Sequence, residues 1–170
     1  MLSESARMAS AAEARFRVQA PNSKPRSIKV IALDVPSEAV VKRLAKGDWK
    51  NASFFTASSF AGAPRTDERF SVGGWLSDLA GRTKSLMDEV DTADLVVMVA
   101  TAGEDAHAAS IIGEACSARR VMTTALIVGS VAKSDEILSK TLAQVRPWSL
   151  MVVLANADEY IDDMLVALRA

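Results

Sequence analysis

From residue 28 onward two hydrophobic rhythms alternate along the chain. Short apolar runs rich in β-branched residues read as buried strands: "IKVIALDV" (28–35), "NASFFTAS" (51–58), "DLVVMVAT" (94–101), "VMTTALIVG" (121–129) and "SLMVVLA" (149–155). Between them apolar residues recur at helical spacing. Pro36 suits a first helical turn, Val40, Val41 and Leu44 give that helix its apolar face, and Gly47 ends it. Further helices are predicted over 76–90 (Leu79, Leu86 and Val90 inward), 104–118 (Ala108, Ile111, Ile112, Ala115) and 134–145 (Leu138, Leu142, Val145). A last one carries Ile161, Met164, Leu165 and Leu168. Strands alternating with helices imply parallel pairing, and near-continuous apolar strands imply a sheet covered on both faces. The expected fold is a three-layer, doubly wound α/β domain of Rossmann-like type, mostly parallel, with about five to six strands.

Two segments break the rhythm. Residues 1–26, rich in Ala, Ser and Arg, lack a sustained apolar stripe and are expected to form a flexible N-terminal arm. Residues 27–170 then form the single α/β domain. Residues 57–75, "ASSFAGAPRTDERFSVGGW", are irregular, with a short strand expected near Phe70–Val72. Loops of this length inside a domain are uncommon and often functional. Arg65, Arg69, Phe70 and Trp75 suit a contact with a ligand or partner; equally, Phe70 and Trp75 suit burial in the core.

Composition narrows the chemistry. Among 170 residues 49% are hydrophobic and 24% charged, which fits a folded domain and not a disordered chain. The net charge of -1, from 20 basic and 21 acidic residues, leaves no global excess to neutralise a nucleic-acid backbone. One cysteine and one histidine permit neither an internal disulfide nor an ordinary Cys/His zinc site. No apolar run is long enough for a bilayer, and the first residues lack the core of a secretory signal. A cytoplasmic protein with no nucleic-acid or membrane partner is expected.

In a doubly wound sheet ligands bind at the carboxyl ends of the strands. The polar residues there are Asp34 and Ser37, then Ser58 and Ser59, then Thr101, Gly103, Glu104, Asp105 and His107, then Gly129, Ser130 and Lys133, and finally Asn156 and Asp158. Of these, Asp34, Thr101, Gly103, Glu104, Asp105 and Asn156 form the candidate ligand set. No glycine-rich phosphate motif is present, and Glu104 and Asp105 would repel a phosphate where glycines would admit it. They are better explained as carboxylates at a helix N-terminus, with capping-box spacing in Thr101-x-x-Glu104 and again in Asn156-x-x-Glu159. Asp34 reads as a helix cap or loop residue and not as a catalytic acid. His107 reads as a surface histidine, and Cys116 as a packing residue. No catalytic set, metal or cofactor is assigned.

Three stretches resemble the nucleotide domain of the tubulin/FtsZ GTPase family. "IKVIALDVPSEAVVKRLAKGDWKNASFFTAS" is similar to its opening strand, helix and second strand. "AGRTKSLMDEVDTADLVVMVATAGEDAHAASIIGEA" is similar to its helix, strand, phosphate loop and next helix, and "SLMVVLAN" to a later strand. The resemblance implies that family's sheet order, and for Asn156 the place of its nucleotide-contacting asparagine, although a helix cap explains Asn156 equally. "DVPSEA" and "AGEDAHA" stand where the family carries glycine-rich turns, so GTP binding in that manner is not expected.

Two functions follow. The first is a non-catalytic binding or assembly module on a degenerate nucleotide-type fold, acting through a protein partner or as a homo-oligomer. The second is a small enzyme or sensor for a neutral or cationic metabolite, held by Asp34, Glu104, Asp105 and Asn156 at an acidic mouth.

Overall fold

At the centre of the fold lie two strands whose side chains serve both faces of the sheet. The computed structural model describes residues 26–57, 75–156, 158–168 and 170. β1 (Ile28–Ala32) sends Ile28, Val30 and Ala32 to one core and Ile31 to the other. β5 (Leu95–Thr101) divides the same way, with Leu95, Val97 and Val99 opposite Val96, Met98 and Ala100. This is the period of two carried by a strand that is buried on both sides.

The flanking strands are β2 (Ala52–Thr56), β3 (Trp75–Asp78), β4 (Thr83–Ser85), β6 (Met122–Val128) and β7 (Met151–Ala155). They lie in the order β4-β3-β2-β1-β5-β6-β7. β2, β1, β5, β6 and β7 run parallel, whereas β3 is antiparallel to both β2 and β4. Helices α2 (Leu86–Asp91), α3 (Ala108–Arg119) and α4 (Asp135–Val145) cover one face. Helices α1 (Val35–Leu44) and α5 (Asp158–Ala167) cover the other. The expected three-layer, mostly parallel α/β architecture is present.

Among the described residues the sheet has seven strands, not five to six, because residues 76–90 do not form one helix. Their first part is the β3–β4 hairpin. Asp78 organises its turn: Oδ1 accepts from the amides of Ala80 (3.0 Å) and Arg82 (2.8 Å), and Oδ2 accepts from Arg82 Nε (2.7 Å). Gly81 supplies the positive φ of 79° that the turn requires. These contacts, led by the Arg82 amide, hold the Asp78 carboxyl below the usual carboxylate range. Leu79 is therefore exposed at the turn and not inward, while Leu86 and Val90 are buried as the pattern predicts. The expected arm, the strand near Phe70–Val72, Ser58 and Ser59 lie outside the described residues.

One charged side chain lies inside this frame. Lys29 on β1 is buried, pairs with Glu89 of α2 at 2.8 Å, and lies over the Phe55 ring at 5.8 Å. It ties the short helix to the amino end of the central strand. No helix among the described residues is long and apolar enough to cross a membrane.

Candidate functional site

Strand order locates the switch point. The chain passes from β1 to β2 on one side and returns to β5 on the other, so the crevice at the carboxyl ends of β1 and β5 is the ligand-prone position. Asp34 and Thr101 lie there, and they are bonded to each other. The Asp34 carboxylate accepts from the Thr101 amide at 2.7 Å and from the Thr101 hydroxyl at 2.9 Å. It also accepts from the Ser37 amide at 2.8 Å, as the N-cap of α1. Ser37 completes a capping box by accepting from the Asp34 amide at 3.2 Å. Asp34 and Ser37 are both buried. A single carboxylate thus starts α1 and fastens β1 to β5 across the crevice.

The loop after β5 is held by a different helix. A turn closes with the Glu104 amide donating to the Thr101 carbonyl at 3.0 Å, and Gly103 adopts φ 92° within it. A Cβ on Gly103 would lie 3.0 Å from Ile137 Cγ2, a tight contact with a side-chain end, so it is the backbone conformation that requires glycine. The Gly103 amide donates to Thr141 Oγ1 at 3.0 Å, and the Ala106 amide to Gln144 Oε1 at 2.8 Å. Gln144 in turn donates through Nε2 to Asp105 Oδ1 at 3.0 Å, which also accepts from the His107 amide at 3.0 Å. Two residues of α4 therefore take up loop amides of the kind that a phosphate would use in a nucleotide site.

This geometry corrects two expectations. α3 begins at Ala108, not at residue 104, and the Thr101–Glu104 capping box does not form. Glu104 lies outside the helix on an exposed turn, and the amides before α3 are satisfied by Asp105 and Gln144. His107 is half-buried at the N-cap position, where its side chain makes no capping bond.

Asn156 stands apart from this group, beyond β7, where its Oδ1 accepts from Ser130 Oγ at 2.9 Å. The Glu159 side chain, the other half of the box expected there, lies outside what is described. The six candidate residues thus divide into a closed pair (Asp34, Thr101), a braced loop (Gly103, Glu104, Asp105) and a separate asparagine.

Beside the braced loop is an open groove of about 520 Å³, lined by Glu104, Asp105, Lys133, Lys140 and Gln144 among others. Lys133 Nζ lies 3.8 Å from the position a Gly103 Cβ would occupy. The mouth is of mixed charge, not acidic. Sequence reasoning placed Lys133 at a strand end but missed Thr141 and Gln144. Their i, i+3 spacing beside the apolar stripe of α4 is a local trace of them, but it does not say what they face. Among the described residues no group of three or more His, Cys, Asp or Glu side chains could hold a metal ion.

No protein-family model matches the chain, and no curated protein does. Among solved structures, translation elongation factor SelB from Methanococcus maripaludis, in complex with the GTP analogue GppNHp, is similar at a TM-score of 0.47 and 9% identity over 85% of this chain. Its apo form gives a TM-score of 0.47 and 11% identity over 84%. The chain spans about a third of the length of these structures, 34% and 33% respectively.

Proposed function

We propose that this chain is a non-catalytic binding or assembly module on a degenerate nucleotide-type fold, of the tubulin/FtsZ kind or related to it. One observation carries the reading: the switch-point crevice is closed by its own residues. The Asp34 carboxylate spends its hydrogen bonds on Ser37 and Thr101. The Gly103 and Ala106 amides spend theirs on Thr141 and Gln144. A phosphate entering there would meet a buried carboxylate and would have to displace one of these bonds for each amide it gained. Function then falls to the outer surface, through a protein partner.

A second reading is a small enzyme or sensor for a metabolite, and the groove beside α4 favours it. With Lys133 and Lys140 opposite Glu104 and Asp105, the groove suits a neutral or zwitterionic molecule better than a purely cationic one.

Thermal stability measured against nucleotides, divalent metals and a panel of amino acids and amines separates the two, because a ligand that binds the native state alone raises the melting point. The module reading expects no shift. A GTP shift lost in Asn156→Ala would overturn it, and a metabolite shift lost in Lys133→Ala would establish the second.

A further inference from the structure

At the far end of the sheet from the crevice, where β6 and β7 begin, lies a cavity of about 360 Å³. That is within the range of small-molecule pockets, about 300–1,000 Å³. Its walls are mostly apolar. Val121 and Met122 lead into β6, Leu150 leads into β7, and Trp148 closes the short 3₁₀ turn Arg146–Trp148. Gly113 of α3 admits the indole, since a Cβ there would lie 2.5 Å from Trp148 Cβ and 2.8 Å from its Cε3. The Thr123 hydroxyl fixes the turn by donating to the Trp148 carbonyl at 2.7 Å, and the Ser149 hydroxyl donates to the Val145 carbonyl at 2.9 Å. Two hydroxyls of the cavity are thus spent inside the protein.

The remaining side-chain donors come from the end of α3. Ser117 and Arg120 are three positions apart, and both line the cavity. Among the described lining residues Arg120 is the one with a charge, and none is acidic. Its neighbour Arg119 pairs with Asp91 at 2.6 Å, whereas Arg120 has no ion-pair partner among the described residues. Arg120 is also the one described non-glycine residue with a positive φ, at 56°. Glycine ends a helix in that conformation at least cost, so an arginine stands there against local preference. The helix end itself does not call for its guanidinium. Arg119 already lies in the last turn, the Arg120 amide donates to the Ser117 carbonyl at 3.2 Å, and the Val121 amide donates to the Cys116 carbonyl at 2.9 Å.

We propose that this cavity binds a small monocarboxylate with an apolar body. The carboxylate pairs with the Arg120 guanidinium, whose planar fork matches its two oxygens, and accepts from the Ser117 hydroxyl. The body lies against Trp148, Met122 and Leu150. The lining selects this class over its neighbours. With no acidic side chain in the wall, an ammonium group finds no counter-charge. A bare phosphate or sulfate would leave the apolar wall uncovered, and an uncharged apolar molecule would leave the guanidinium unpaired. The site is separate from the crevice, and from the groove beside α4, and stands whether or not either of them binds anything.

The test is titration of the full chain with phenylacetate, followed through the Trp148 indole N–H resonance. Phenethylamine keeps the body and reverses the charge; acetate keeps the charge and lacks the body. A saturable shift is expected with phenylacetate at or below the millimolar range, and with neither control. It should survive Lys133→Ala, which separates it from a ligand of the groove beside α4. Arg120→Gly should weaken phenylacetate by about tenfold or more, through loss of the charge-assisted pair. Its melting temperature should stay at or above that of the wild type, because glycine takes a φ of 56° without strain. No saturable shift would overturn the proposal, as would a control that binds as tightly or an Arg120→Gly variant that binds as well. A Trp148 resonance that moves with protein concentration alone would also overturn it, by showing that a second copy covers the cavity. If Arg120→Gly fails to fold, Arg120→Gln is read by the same criterion, and the wild-type comparison of the three probes still decides.

Discussion

Removing the Asp34 carboxylate is the most direct test of whether the crevice is structure or site. In Asp34→Ala, α1 loses its N-cap, a cost of about 1 kcal/mol. The Thr101 amide and hydroxyl lose a charged acceptor at 2.7 and 2.9 Å. The hydroxyl can turn to another partner. The half-buried amide is left short, at about 1–3 kcal/mol. The sum is about 3 kcal/mol, at the upper end of what a single substitution does. For a domain of this size that lowers the melting temperature by about 6–12 °C. Asp34→Asn keeps an acceptor in place and should lose about half as much. Urea unfolding followed by circular dichroism gives the difference, provided the slope with denaturant is unchanged. A residue held for binding or catalysis behaves in the opposite way, since sites are kept at a cost in stability. An Asp34→Ala variant that melts at or above the wild-type temperature would refute the closed-crevice argument and the function proposed from it.

Other expectations follow from the packing. Glu89→Ala leaves Lys29 buried without its partner, and because Glu89 is itself one-fifth exposed the cost should be about 2 kcal/mol. Lys29→Met should be close to neutral, and a urea-denaturation double-mutant cycle measures the coupling. Burial pushes the Cys116 thiol up to about 12, so labelling by a thiol reagent at neutral pH should be slow and should follow unfolding. The folded chain keeps that proton where the unfolded chain has lost it. The thiol's contribution to stability is thus complete below its unfolded value and declines as pH rises from there toward about 12, which pH-dependent urea melts would reveal. Gly113→Ala would place a Cβ 2.5 Å from Trp148 Cβ and should cost more than 2 kcal/mol or prevent folding; a melting point near wild type would show that α3 can move away from Trp148.

The boundary between what was legible and what was not is physical. Strands β1, β5 and β6, and helices α1, α4 and α5, were legible because a period of two or 3.6 is written in neighbouring residues. So was the pairing of Asp34 with α1, since a cap and its helix are three residues apart. The β3–β4 hairpin was misread because Leu76, Leu79, Leu86 and Val90 fall at intervals that a helix would also use. What separates the two is the Asp78–Arg82 turn, whose bonds span no more than four residues yet leave no hydrophobic signature.

The chain alone thus determined the fold class, the candidate residues at the strand ends and the absence of a glycine-rich phosphate loop. Tertiary structure decided what those residues do. Asp34 and Thr101 lie 67 positions apart, and Gly103 and Ala106 each lie 38 positions from the α4 side chain that takes its amide. Strand order brings β1 beside β5, and only then does a cap become the bond that closes the crevice. The same order puts β7 at an edge of the described sheet, so that a run of apolar residues that reads as an ordinary buried strand is exposed at Met151 and Leu154. Periodicity records which face of an element is apolar; it does not record which neighbour, if any, covers it.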